Sequence, residues 1–215
     1  MGMRLYGFWR SIATFRVRVA LNLKGLAFEE VSVNILDGTQ FAAGYDAVNP
    51  AHAVPTLVHD GHRLTQSLAI LDYLDDIQPE PALLPRAPAE RAYVRALALL
   101  TVADTHPLMV PRVRDYLRAE LGADGEAVNA WVRHWISTTL STYERLLSAR
   151  PPAPFVVGET PGLADICIAG HMLSARMFAV DLALAPRVAT LADRCLTLPA
   201  FADAHPLRQT GAPDA

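Results

Sequence analysis

Hydrophobic and polar residues along the first third of the chain follow the patterns of short strands separated by helices. Alternating apolar and polar side chains predict strands, and apolar side chains at helical spacing predict helices. Asp60-Gly61, between two strand-like runs, predicts a hairpin turn. The predicted strands span residues 4–8, 28–35, 56–59 and 63–65, and the predicted helices span residues 11–24, 40–46 and 67–77. The predicted order is therefore β-α-β-α-β-β-α.

Prolines between Pro79 and Pro88 interrupt this pattern, and the sequence after them is helical in character. We interpret residues 85–89 as a linker between two domains. An α/β domain is expected over residues 1–84, and an all-α domain over residues 90–215. The predicted helices of the second domain span residues 89–120, 123–149, 162–180 and 184–196. Pro107 and Pro111 predict a bend in the first of them.

The composition indicates a large apolar core or a buried oligomer interface, because 52% of the 215 residues are hydrophobic and only 19% are charged. The net charge of −3 and the lack of a basic block argue against nucleic-acid binding. We expect no membrane span, since no apolar run reaches roughly 18–20 residues, and no signal peptide. Cys167 and Cys195 lie in apolar segments without metal-ligand spacing. We therefore expect two packing thiols, no metal site and a cytoplasmic location.

Ser11 follows the first predicted strand and stands where the first predicted helix begins. A serine at this place commonly caps the helix, which is the simpler interpretation. The alternative is chemical, because a hydroxyl at a helix N-terminus can donate to a thiolate held there. The helix dipole and such a donor both lower the pKa of the thiol. The pattern leaves both roles open.

Two dipeptides border the predicted hairpin strands, Val54-Pro55 before them and Gln66-Ser67 after them. Pro55 is either an edge-strand proline or a cis-proline that exposes the backbone of Val54 for pairing with an extended peptide. The order of strands and helices favours the second interpretation. Ser67 is expected to cap the helix that follows it. The N–H groups at that helix end are also suited to a carboxylate.

Other polar residues stand in apolar surroundings in the second half of the chain. Asp165, three residues after Gly162, is expected to form a capping box that serves folding. His106 is either structural or a general acid or polar contact for a substrate. Surface positions are expected for the arginines 10, 16, 18, 112 and 176. Any two that converge near Ser11 would suit a dianionic substrate, because guanidinium groups bind carboxylates through forked donors.

Together these residues resemble the glutathione transferase superfamily, and specifically its zeta-like branch, which includes the maleylacetoacetate and maleylpyruvate isomerases. The resemblance covers essentially the whole chain. The segments that carry it are FWRSIATFRVRVALNLKG from Phe8, NP-x-x-x-VPTL from Asn49, QSLAILDYL from Gln66, THPL from Thr105, GETPGLADICI from Gly158, SARMFAVDL from Ser174 and LPAFADAHPLRQ from Leu198. The resemblance implies a thioredoxin-like first domain, an all-helical second domain that forms the acceptor-substrate site, and a homodimer.

The resemblance also implies glutathione as the cofactor and assigns roles to individual residues. Ser11 is implied to be catalytic, in contact with the glutathione sulfur. The residues implied to bind the rest of glutathione are Gln40, Val54, Gln66 and Ser67. The residues implied to bind an acidic substrate are Arg10, His106 and Arg176.

The implied activity is the glutathione-dependent cis–trans isomerisation of a maleyl keto acid, maleylacetoacetate or maleylpyruvate, in the degradation of aromatic compounds. Two alternatives stay open. Ile12 and Ala13 stand where the isomerases often have Ser and Cys, and Met109, Val110 and Met177 stand where polar residues are common. The changes at Met109, Val110 and Met177 favour a transferase or a dehalogenase that acts on an apolar electrophile. The other alternative is a catalytically silent binding protein with the same fold.

Overall fold

The computed structural model describes residues 2–213 and divides into two compact units. The first unit comprises the residues up to 82 together with those from 196 onward, and the second comprises Leu83–Cys195. None of the helices between residues 2 and 213 combines the length and hydrophobicity that a bilayer-spanning segment needs.

The first unit is an α/β fold whose described residues form a four-stranded sheet in the order β2-β1-β3-β4. Its strands are β1 (Met3–Gly7), β2 (Phe28–Ser32), β3 (Thr56–His59) and β4 (His62–Thr65). Its helices before residue 82 are α1 (Ile12–Leu23), α2 (Ala43–Asp46) and α3 (Ser67–Ile77). β1 pairs in parallel with β2 and antiparallel with β3, and β3 pairs antiparallel with β4. The predicted fold class and the predicted order of elements are confirmed.

Local sequence explains the hairpin and the first helix of this unit. Asp60 and Gly61 have φ angles of 47° and 81°, which is the left-handed backbone that a tight hairpin turn requires. Helix α1 is buried on nearly all sides rather than along one stripe, and it packs against α3. That burial explains why its sequence is apolar almost throughout.

The C-terminal segment from Leu196 packs with the first unit, whereas the sequence had placed residues 90–215 in one helical domain. Helix α10 (Pro199–Ala202) contacts α1. The rings of Phe15 and Phe201 meet edge to face at 6.4 Å, and both side chains are fully buried. The side chain of Asn22 donates to the carbonyl of Ala200 at 2.9 Å. Burial of Phe201 against α1 therefore ties this segment to the first unit.

The second unit is helical in its described residues. Its helices are α4 (Pro88–Leu99), α5 (His106–Met109), α6 (Pro111–Ala119), α7 (Gly125–Ser148) and α8 (Leu163–Met177), followed by α9 (Pro186–Thr197), which runs across the boundary between the units. Every residue of α8 from Leu163 to Ala175 is buried, so α8 forms the centre of this unit.

The long helix expected over residues 89–120 is interrupted. A π-helical stretch, Leu100–Thr105, separates α4 from α5, and Val110 adopts an extended conformation between α5 and α6. The break at Val110 has a local cause, because a residue before proline avoids the helical region. The predicted bend is thus confirmed at Pro111, and the π-helical stretch before His106 is an additional irregularity.

Buried hydroxyl groups hold the π-helical stretch against α7. The hydroxyl groups of Thr101 and Tyr143 lie 2.6 Å apart, and the Tyr143 hydroxyl donates to the carbonyl of Leu97 at 2.7 Å. Thr105 is hydrogen-bonded to Thr139 in the same way. Irregular helical turns of this kind often occur next to functional sites, and here the turn leads directly into His106.

Asp165 and the cysteines occupy the structural positions that the sequence predicted. The carboxylate of Asp165 accepts from the N–H groups of Gly162 and Val156, each at 2.9 Å, which completes the capping box at the start of α8. Burial raises the pKa of this carboxyl to about 6. Cys167 and Cys195 are buried thiols, and burial also raises the pKa of the Cys195 thiol, so its reactive thiolate form is disfavoured.

Candidate active site

The topology of the first unit brings the predicted glutathione-binding segments to one end of the sheet. β1 and β4 run in the same direction, since each is antiparallel to β3, and β2 is parallel to β1. The carboxyl ends of β1, β2 and β4 therefore meet at the same edge of the sheet as the amino end of β3. The residues that adjoin the strands at that edge are Ser11 after β1, Gln40 after β2, Val54 before β3, and Gln66 and Ser67 after β4.

Ser11 is the N-cap of α1, as the simpler interpretation predicted. Its Oγ accepts a hydrogen bond from the N–H of Thr14 at 3.2 Å, and its own N–H donates to the carbonyl of Phe8 at 2.9 Å. Because Oγ acts as the acceptor in the capping contact, the hydroxyl proton can still be donated to a group outside the helix. The capping role and the chemical role are therefore compatible.

Arg18 supports the loop in front of Ser11 from inside the unit. Its guanidinium donates to the carbonyl of Phe8 at 3.2 Å, to that of Trp9 at 3.4 Å, and to the carboxylate of Glu30, with Nε at 2.8 Å. Arg16 and Arg18 are both almost completely buried. The expectation that these two arginines lie at the surface was therefore wrong. The guanidinium of Arg10, by contrast, lies 5.7 Å from the ring centre of Trp9 in a half-buried position.

Val54 offers an unpaired backbone at the same edge. Within residues 2–213 its N–H and C=O make no hydrogen bond, and the Val54-Pro55 peptide bond is cis, as predicted. The neighbouring carbonyl of Ala53 is held by the hydroxyl of Tyr45 at 2.5 Å and by the amide of Asn49 at 2.8 Å. Burial raises the pKa of Tyr45, which keeps that hydroxyl a neutral donor. The loop is thus fixed while the Val54 backbone stays available to an extended ligand.

The helix α3 starts where it was predicted, but its capping residue differs from the prediction. Gln66 is the N-cap and has a φ of 65°, and its side chain does not cap the helix. Ser67 is the first helical residue, and its Oγ accepts from Nε of Arg16 at 3.1 Å. The expectation that Ser67 caps α3 was therefore wrong. Because no side chain caps α3, the N–H groups of its first turn suit an anionic ligand group.

Gln40 carries a buried acceptor that lacks a donor. It lies in a 3₁₀ turn, Thr39–Phe41, where its Nε2 donates weakly to the carbonyl of Ile35 at 3.4 Å. Within the described part of the chain, its buried Oε1 has no hydrogen-bond partner. Buried polar atoms are normally satisfied, so a ligand amide N–H at this place would complete the arrangement.

The remaining predicted site residues, His106 and Arg176, belong to the second unit. His106 is the first residue of α5, is half-buried, and donates its backbone N–H to the carbonyl of Thr101 across the π-helical turn. Arg176 stands in the last turn of α8 and forms an ion pair with Asp193 of α9. Just beyond it, the carbonyl of Phe178 accepts from Arg133 at 3.1 Å. The roles of both residues stay predictions.

The residues at the sheet edge fit glutathione in chemical type. The backbone of Val54 can pair with an extended peptide, and the uncapped start of α3 can bind a carboxylate. The unsatisfied Oε1 of Gln40 can accept from an amide N–H, and the hydroxyl of Ser11 can donate to a thiolate. Glutathione is a peptide with an amide backbone, two carboxylates and a thiol. Among residues 2–213 no group of three His, Cys, Asp or Glu side chains is arranged to hold a metal ion.

Comparison with known proteins agrees with this geometry. Residues 1–76 match the family described as the glutathione S-transferase N-terminal domain. The chain is 39% identical to the maleylacetoacetate isomerase of Pseudomonas aeruginosa over 99% of this chain and 100% of that protein. It shares 39% identity and a TM-score of 0.95 with the holo structure of a maleylpyruvate isomerase, a bacterial zeta-class glutathione S-transferase, over 98% of this chain and 100% of that one.

A second solved structure contains ligands. The maleylacetoacetate isomerase of Methylobacterium extorquens AM1, with bound malonate and glutathione, is 44% identical to this chain with a TM-score of 0.95, over 98% of this chain and 100% of that one. Identity at this level along the full length exceeds what a shared fold alone produces. The chain therefore belongs to the glutathione S-transferase family, within the zeta class of maleylacetoacetate and maleylpyruvate isomerases.

Proposed function

We propose that this protein is a glutathione-dependent cis–trans isomerase of a maleyl keto acid, maleylacetoacetate or maleylpyruvate, in the degradation of aromatic compounds. The proposal is carried by the position of Ser11 at the N-terminus of α1, where its hydroxyl proton is available for donation. The names of the full-length relatives and the bound malonate and glutathione in one of them support the same activity.

Ser11 performs the central step by holding the cofactor sulfur in its reactive form. Bound glutathione supplies a thiolate that adds to the cis double bond, allows rotation about it and is then eliminated. The Ser11 hydroxyl donates to that sulfur, and the positive end of the α1 dipole lies at the same point. Both effects favour the thiolate over the thiol. Arg18 fixes the carbonyls of Phe8 and Trp9 and thereby the position of Ser11.

The other residues at the sheet edge bind and orient the cofactor. The backbone of Val54 pairs with the cysteinyl part of glutathione, and the uncapped start of α3 at Gln66 and Ser67 binds its γ-glutamyl end. Gln40 accepts a ligand N–H with its unsatisfied Oε1. Because glutathione is regenerated in the reaction, it acts as a cofactor and is not consumed.

Basic side chains bind the acidic substrate in this proposal. Arg10 and Arg176 supply forked donors for carboxylates, and His106 supplies a polar contact or a proton. The ion pair of Arg176 with Asp193 orients its guanidinium at the end of α8. The bound malonate of the Methylobacterium extorquens relative is itself a dicarboxylate, which supports a substrate of this charge.

A transferase or dehalogenase for an apolar electrophile is the second candidate, and exposed apolar residues favour it. Met177 is 44% exposed, and Ala13 is half-buried beside Ser11. Ile12 and Met109, however, are buried core residues, so packing explains their apolar character. Burial of these two residues weakens the argument for an apolar acceptor and favours the isomerase.

We further propose that the protein forms a homodimer in the cytoplasm. Large apolar side chains at the surface of the first unit suit a subunit interface, among them Leu36 at 54% and Phe41 at 64% exposure. Two buried thiols suit a reducing compartment. Light scattering coupled to gel filtration tests the oligomeric state, and a monomeric mass would contradict the dimer.

A spectrophotometric assay tests the activity. The absorbance of maleylpyruvate or maleylacetone is followed with no glutathione and with glutathione at far less than the substrate concentration. Multiple turnovers per glutathione are expected, together with slow turnover of a chloronitrobenzene acceptor. Turnover of the aromatic acceptor alone would refute the isomerase and leave the transferase. Absence of glutathione binding by calorimetry would refute both.

A further inference from the structure

Arg16 and Ser67 form a buried contact between two helices of the first unit. Arg16 lies in α1 and Ser67 opens α3, 51 residues further along the chain. The Nε of Arg16 donates to Oγ of Ser67 at 3.1 Å. Both residues are almost entirely buried, at 1% and 3% exposure. A cation is thus held directly beneath the N-terminus of α3.

The direction of this hydrogen bond constrains the Ser67 proton. A guanidinium can only donate, so Ser67 Oγ must be the acceptor and its own proton must point elsewhere. Among residues 2–213 that proton has no acceptor, since the contact with Arg16 accounts for the hydrogen bonding of the Ser67 side chain. Unused donors are costly when buried, so the arrangement suits a ligand that supplies an acceptor.

Two further observations indicate an anionic acceptor at the same place. The first turn of α3 has no side-chain cap, because the N-cap residue Gln66 makes no capping hydrogen bond with its side chain. Gln66 also holds a φ of 65°, a conformation that non-glycine residues adopt only when the surroundings impose it. The hydroxyl proton, the uncapped N–H groups and the buried cation all favour negative charge.

We propose that Arg16 is a positioning residue for the γ-glutamyl carboxylate of glutathione, an inference that rests on the proposed function. Arg16 holds Ser67 so that the Ser67 hydroxyl donates to that carboxylate at the positive end of the α3 dipole. Arg16 therefore acts through Ser67 and leaves the thiol chemistry to Ser11.

A purely structural role for Arg16 would have a different signature. A buried arginine that only stabilises α1 would, when replaced, weaken every ligand of the unit to the same extent. A positioning role is specific to one ligand group. The probe for that group is a glutathione analogue in which the γ-glutamyl α-carboxylate is a carboxamide, and it is compared with glutathione itself by calorimetry.

The experiment uses the full-length protein in five forms: wild type, Arg16→Met, Arg16→Lys, Ser67→Ala and the Arg16→Met/Ser67→Ala double variant. Arg16→Met is expected to weaken glutathione binding roughly tenfold or more, the loss typical of a charge-assisted hydrogen bond. Binding of the carboxamide analogue is expected to change by less than about twofold, and the double variant is expected to bind glutathione about as well as Ser67→Ala. Arg16→Lys, which keeps the charge, should fall between wild type and Arg16→Met.

Arg18→Met is the matched control, because Arg18 is equally buried in the same helix but bonds to Phe8, Trp9 and Glu30. It should lower stability without distinguishing the two ligands. Should Arg16→Met fail to fold, Arg16→Lys, Ser67→Ala and the Arg16→Lys/Ser67→Ala double variant form the cycle instead. Equal weakening of both ligands, or independent effects of Arg16 and Ser67, would overturn the role of Arg16. Failure of the wild type to bind glutathione would instead refute the proposed function itself.

Discussion

The guanidinium of Arg18 in α1 is paired with the carboxylate of Glu30 in β2 inside the first unit. The Arg18 side chain is 1% exposed and that of Glu30 24%. One residue earlier in β2, Glu29 pairs with Arg4, but the Arg4 side chain is 50% exposed and that of Glu29 is 64% exposed. Two neighbouring carboxylates of one strand therefore make ion pairs in very different surroundings.

This difference predicts unequal stability effects of two conservative substitutions. Glu30→Gln should lower the free energy of unfolding by about 3 kcal/mol, because it leaves the buried Arg18 charge uncompensated. Glu29→Gln should cost less than about 1 kcal/mol, as is usual for an exposed pair. Urea unfolding followed by circular dichroism measures both. A cost for Glu30→Gln no larger than the small cost expected for Glu29→Gln would mean that the Arg18 pair does not stabilise the fold.

Ile12 and Ala13 are adjacent residues after Ser11 that differ in burial. Ile12 is 5% exposed and part of the core, whereas Ala13 is half-buried. Ile12→Ser should cost about 3 kcal/mol of stability, through a cavity and a buried hydroxyl. Ala13→Ser should cost less than about 1 kcal/mol, the difference in helix propensity. Thermal unfolding of the two variants provides the comparison, and similar melting temperatures would contradict the burial of Ile12.

Asp165 predicts a pH dependence of stability. Its folded pKa of about 6 lies above its unfolded value, so the folded state binds the proton more tightly. Its stabilising contribution is complete below the unfolded pKa and is lost as the pH rises through about 6, an effect on the order of 3 kcal/mol.

The matched variant is Asp165→Asn, which cannot titrate and loses one acceptor for the N–H groups of Gly162 and Val156. Free energies of unfolding are compared at about pH 5 and about pH 8. The variant should be clearly less stable than the wild type at the lower pH, and the gap should narrow at the higher pH. A gap that widens with rising pH would contradict the raised pKa.

Sequence pattern predicted the elements well, because strands and helices are local. The hairpin turn at Asp60-Gly61 and the break at Pro111 follow from the backbone preferences of single residues. The pattern does not predict which residues distant in the chain contact each other. Phe201 packs on Phe15, and nothing in the periodicity of either segment indicates the other.

The candidate site was predicted with the same limitation. Ser11, Val54 and Gln66 stand at borders of elements, so their common edge follows from strand order. The error at Ser67 has a non-local cause, since its hydroxyl bonds to Arg16 of α1 instead of capping α3. The burial of Arg16 and Arg18 was missed for a related reason. A charged residue in an apolar helix is normally expected to face solvent. The sequence does not show the partners from other segments that permit its burial, such as Glu30 for Arg18.

Ser11→Ala tests the central claim most directly. Glutathione affinity by calorimetry and the rate of maleylpyruvate isomerisation at saturating glutathione are measured on the same preparation. The account predicts that kcat falls about a hundredfold or more, because the glutathione thiolate loses the hydrogen-bond donor that stabilises its negative charge. Glutathione affinity should change by less than about fivefold, because most binding contacts remain. An unchanged kcat would contradict the role of Ser11 and with it the proposed chemistry.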